Sequence, residues 1–60
     1  MRTYEEASAL AKIYARQARL AASKDVAADL WRMAREWQTQ AAKLNTGKLP
    51  DIGEPPPGVL

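Results

Sequence analysis

Glycine and proline are confined to one end of this chain. Residues 1–46 contain neither, whereas residues 47–60 hold all three glycines and all four prolines. The breaker-free part is made chiefly of Ala, Leu, Arg, Lys, Gln, Glu and Met, the residues that lose least on entering a helix. The partition predicts an all-α unit over 1–46 followed by an extended Pro/Gly-rich tail over 47–60.

Start and stop signals divide the helical part in two. Thr3 followed by Glu6 fits a capping box, in which hydroxyl and carboxylate satisfy amide donors left unpaired at a helix start. Helix 1 is expected over about 4–22. Glu5 and Glu6 lie in its first turn and Arg16 and Arg19 near its far end, the order the helix dipole favours. Ser23 can cap a second helix opening Lys24, Asp25, Val26, expected over about 24–45. Asn45, Thr46 and Gly47 then supply a stop, and Pro50 prevents resumption.

No Gly or Pro marks a break near Ser23, so a single rod from Tyr4 to Asn45 is the competing reading. The phase of the apolar pattern decides against it. Tyr4, Ala7, Ala11, Tyr14, Ala18 and Ala21 follow one helical face. Continuing that phase gives Asp25, Ala28, Arg32, Arg35 and Thr39, a largely polar series. The apolar stripe of the second segment instead reads Val26, Leu30, Met33, Trp37, Ala41 and Leu44. A phase jump at Ser-Lys-Asp is what a turn between antiparallel helices produces. The expected fold is an antiparallel two-helix hairpin.

Helix 1 is apolar over too wide an arc for one neighbour. Leu10, Ile13 and Leu20, with Gln17 between them, adjoin the Ala/Tyr stripe, and together they span roughly 200° of the wheel. Two hairpins forming a four-helix bundle, by dimerisation or by docking on a partner, would cover both sectors. Leu10, Ile13, Tyr14, Leu20 and Trp31 are therefore the interface candidates. Trp37, mid-stripe, is expected to anchor the core. Trp31 lies off the stripe's centre, so either the tail or the edge of helix 1 covers it, or it is a hot spot for a partner. In the tail, Leu49 and Ile52 are expected to contact the hairpin as the segment through Ile52 folds back toward helix 2. The end is expected to be mobile unless a partner holds it. Pro55–Pro57 favour polyproline II, but no P-x-x-P spacing accompanies them.

Composition narrows the chemistry. A 60-residue chain buries a small share of its surface and usually needs a disulfide, a metal or a second subunit. With no Cys and no His, thiolate and imidazole metal sites, thiol catalysis and the commonest general base are all missing. The expectations are accordingly no enzyme, no cofactor, no metal and no small-molecule substrate. Net charge is +2, with both signs interspersed, and the row Lys12, Arg16, Arg19 reads as a solvated face, so nucleic acid is an unlikely partner. There is no membrane-length apolar run and no secretion-signal core, and a cytoplasmic protein is expected.

The string LAASKDVAADLWRMAREWQTQAAKL, residues 20–44, resembles a family of short uncharacterised alphaproteobacterial proteins. Tyr4, Leu20, Ala21, Leu30, Ala34 and Trp37 stand at its matching positions, covering about three quarters of the chain. The chain departs from that pattern in having Lys24 where Pro is frequent, in lacking an early Cys, and in carrying Trp31. The resemblance implies a two-helix hairpin and no established activity. The functional expectation is a non-enzymatic protein–protein interaction module that self-associates, with a homodimer or a larger protein as partner. An accessory subunit clamped onto an enzyme or assembly is the alternative, and a small nucleic-acid-binding regulator the second.

Overall fold

A computed structural model of the chain describes residues 3–45 and 47–59. Thr46, named above as a stop residue, and Leu60 lie outside the described residues. Two helices, α1 (Tyr4–Leu20) and α2 (Lys24–Leu44), pack against each other, and no strand occurs among the described residues. The hairpin is therefore present, and the single-rod alternative is excluded. The helices end earlier than expected, α1 at Leu20 and α2 at Leu44.

Both caps are where the sequence places them. The Thr3 hydroxyl accepts from the Glu6 amide at 3.1 Å. It donates to Glu6 Oε1 at 3.4 Å, so the carboxylate meets the hydroxyl. Ser23 Oγ accepts from the Asp25 amide at 3.2 Å. Between the helices the reversal uses ordinary residues in extended conformation: Ala21 at φ −67°, ψ 140° and Ser23 at φ −110°, ψ 139°. That is why neither Gly nor Pro is needed there. At the end of α2 the Gly47 amide donates to the Ala42 carbonyl at 2.7 Å, and Gly47 has φ +84°. This left-handed conformation is the one a side chain resists and glycine adopts freely.

Alanine makes the seam. Ala7, Ala11, Ala15 and Ala18 on α1 and Ala34 and Ala41 on α2 have no exposed surface, and Ala27 is almost fully buried. Such small side chains let two helix axes approach toward the short end of the usual range, about 8 Å. Trp31, 7% exposed, is the one large side chain of α2 in this core. The phase of α2 thus corrects the sequence reading. Ala27, Trp31, Ala34 and Ala41 face inward, while Val26 and Leu44 of the expected inward stripe are 50% and 47% exposed. Trp37, expected to be the core anchor, is only half-buried at the core's edge. The stripe was chosen by bulk, whereas close helix approach selects the small residues one position along, about 100° around the wheel.

The tail crosses the seam on one side of the hairpin. Gln38 Nε2 donates to the Pro50 carbonyl at 2.8 Å. Arg19 Nη1 donates to the carbonyls of Ile52 at 2.9 Å and Glu54 at 3.3 Å. Ile52 and Val59 join the cluster that holds Trp31, Ala11, Ala15 and Ala34. Two expectations are corrected here. The packed segment runs on to Val59 and does not stop at Ile52, because Pro56 and Val59 find the groove over the alanines. Leu49 is 58% exposed, and the buried contact falls to Pro50 beside it.

Candidate interaction face

The tail gives the hairpin two unlike sides. On α1 the side chains turned toward the tail are Ser8, Lys12 and Arg19, which line hollows shared with Pro50, Asp51 and Ile52. On α2 they are Trp31, Arg35 and Thr39, which line a hollow shared with Val59. Taking about 100° per residue, the opposite flank of α1 carries Leu10, Ile13, Gln17 and Leu20. The same construction puts Val26, Leu30, Met33, Trp37, Gln40 and Leu44 on the opposite flank of α2. These two strips lie on the side away from the tail and make one open face.

Its side chains are large, apolar and incompletely covered. Ile13 is 53% and Leu20 68% exposed, while Leu10, Tyr14, Leu30, Met33 and Trp37 are half-buried. No large side chain is fully buried among the described residues. The distribution is inverted relative to an ordinary small domain: alanines fill the interior and most of the bulky aliphatics lie outside. Neither strip carries a charge between its end residues; Glu6 extends the α1 strip toward its N-terminus and Asp29 borders the α2 strip. A largely apolar exposed patch of this kind is a usual mark of a surface that another molecule covers.

The interface candidates fall into two groups. Leu10, Ile13, Tyr14 and Leu20 lie on or beside the open face. Trp31 does not: the tail covers it, so of the two accounts of this residue the intramolecular one holds. Of the tail contacts, Ile52 is in the core and Leu49 is not. Arg19 was read as part of a solvated row, yet it is the tail's clamp. Its signal lay in its position at the last turn of α1, where a long cation can reach the carbonyls of a returning chain.

The tail side offers little chemistry. Lys12, Arg16 and Arg19 border a hollow with Asp51, so cation and anion share the rim. Arg32 and Asp29 pair at 3.6 Å with both side chains well exposed, a contact of small energetic weight. The Ser8 hydroxyl is buried without a hydrogen-bond partner. No cluster of three or more His, Cys, Asp or Glu suited to a metal occurs among the described residues. No helix of the described chain is long and apolar enough to cross a membrane.

Comparison with protein-family models, curated proteins and solved structures returns no match for this chain.

Proposed function

We propose that the chain is a non-enzymatic helical module for protein–protein interaction, working through the face opposite its tail. The observation that carries this reading is the exposure of Ile13, Leu20, Val26 and Leu44 beside a core made mainly of alanine. The intramolecular core leaves Ile13, Leu20, Val26 and Leu44 about half exposed or more. Covering them would remove apolar surface from water, which is favourable in proportion to the area covered. The tail side, by contrast, is already occupied by the chain's own residues and is rich in charge.

Site-specific photo-crosslinking in the source cell tests the reading. A photoreactive residue at Ile13 or Met33 is expected to give discrete protein adducts, and one at Arg35 or Thr39 to give none. Adducts of equal yield from both sides, or none from Ile13 and Met33, would refute it.

A further inference from the structure

We infer that residues 50–59 form a strap that opens and closes as one unit over a hairpin that stays folded, and that its end is a gate over Trp31. The strap lies on the side away from the open face, and the inference holds or fails independently of what that face binds.

The strap ends in a hook. Its first residues lie beside α1: Pro50 and Asp51 share a hollow with Ser8 and Lys12, and Ile52 and Gly53 share one with Arg16 and Arg19. Pro56 and Pro57 reach the turn between the helices, where they line a hollow with Ala21 and Lys24. There the Val59 amide donates to the Pro56 carbonyl at 3.0 Å, and Gly58 has φ +80°. With Pro57 fixing φ at about −65° one residue earlier, this is a type II turn, the form that asks for glycine at its third position. A β-carbon at Gly58 would lie 2.9 Å from Lys24 Cε, so the bare backbone also lets the lysine chain pass across the hook. The turn delivers Val59 to α2, beside Trp31 and Thr39.

The way the strap is held makes it separable. Its polar ties to the helices all come from side chains, Arg19 and Gln38 donating to its carbonyls. Among the described residues no backbone hydrogen bond joins residues 50–59 to either helix. Lifting the strap therefore leaves both helix ladders whole and gives up only those ties and the apolar cover of Ile52, Pro56 and Val59. The connection can absorb the motion: Lys48 and Leu49 are exposed, and Gly47 has open space where a side chain would stand. Three successive prolines hold the lifted end near its docked shape, so closing orders few torsions. A segment tied by a few side chains, with no ladder of its own, belongs to the low-stability end of a fold. Its departure uncovers Trp31, which is 7% exposed while the strap is closed.

The chain has no cysteine, so a single thiol placed in the full chain reports opening by its rate of chemical labelling. Ile52→Cys and Val59→Cys should label through one shared opening, at least roughly tenfold more often than Ala34→Cys in the seam. Gly58→Ala puts a β-carbon on a left-handed backbone and should raise labelling at both 52 and 59 by roughly tenfold. It should leave labelling at 34 within about threefold and the helical circular dichroism intact. In a Trp37→Phe chain, where Trp31 is then the one tryptophan, the same substitution should increase acrylamide quenching. Equal labelling at 52, 59 and 34 overturns the inference, because the strap then leaves only when the hairpin unfolds. A Gly58→Ala response confined to 59 does so too, since it divides the strap, and labelling of 52 and 59 at the rate of a free thiol shows that no strap is docked. Loss of the helix signal in Gly58→Ala is equally fatal: a change in the hook would have taken the hairpin with it.

Discussion

Arg19, in the last turn of α1, donates from one guanidinium nitrogen to the Ile52 carbonyl at 2.9 Å and to the Glu54 carbonyl at 3.3 Å. Two backbone acceptors of the tail, 33 and 35 residues away in sequence, are thus fixed to the first helix while Gln38 of α2 fixes Pro50. The tail is tied to both helices and seals their seam over Trp31.

Arg19→Ala should therefore loosen the tail before it disturbs the hairpin. Loss of a hydrogen bond from a charged donor, at a site open to solvent on one side, is expected to cost about 1–2 kcal/mol. Urea titration at one fixed protein concentration measures it, because association would otherwise add to apparent stability. Amide exchange should speed up in residues 50–59 more than in α1 or α2. An unchanged midpoint with unchanged tail exchange would show that the clamp holds nothing.

Trp31 is the largest side chain in the core, and the chain has little else to replace it. A domain of this size has a stability of only about 3–9 kcal/mol by the usual per-residue range. Truncating a buried Trp costs about 3–5 kcal/mol. Trp31→Ala is expected to abolish most of the helical circular dichroism at 25 °C, and Trp31→Phe to keep it with a lower melting temperature. A cooperative, fully helical Trp31→Ala protein would mean that Ile52 and Val59 have another apolar surface to cover.

How far the sequence foretold this arrangement differs from element to element. Thr3, Ser23 and the Asn45–Gly47 region mark their boundaries through local chemistry, and local chemistry is legible in one dimension. The hairpin itself was readable because the apolar phase jumps at Ser23. The rotation of α2 was not. Two apolar sectors sit side by side on that helix, Ala27–Ala34–Ala41 with Trp31 and Val26–Leu30–Met33–Trp37, and a wheel weighted by bulk selects the second. What selects the first is the matching alanine series on α1, a property of the pair that neither helix states alone. The tail's course beyond Ile52 was hidden for a related reason: a run such as EPPPGVL has no periodicity, and its docking depends on a groove that exists only once the helices have met.

Alanine at the seam can be tested against alanine elsewhere on the same helix. Ala34 has no exposed surface, whereas Ala28, on the same helix, is exposed. Ala34→Leu forces the helices apart or the side chain off its rotamer and should destabilise by about 1–3 kcal/mol. Ala28→Leu should change the unfolding midpoint little, since an exposed helix position accepts Leu nearly as well as Ala. Equal effects at the two positions would show that α2 is rotated from the orientation described.

Ser8 sets the opposite expectation, a truncation that helps. Its hydroxyl lies in a residue only 8% exposed and has no hydrogen-bond partner. An unmet buried polar group costs about 1–3 kcal/mol, and serine is a poorer helix former than alanine by a few tenths of a kcal/mol, roughly 0.5. Ser8→Ala removes both terms while leaving the Cβ that packs beside Ala7 and Ala11, and no contact seen in the structure is lost. The variant should melt several degrees higher, with the gain at the lower end of that range because the site borders a hollow lined by Tyr4, Lys12 and Pro50. Thermal unfolding followed by circular dichroism decides the matter. A lower melting temperature for Ser8→Ala would mean that the hydroxyl has a use in the folded protein, and the hollow beside it would then be the place to look.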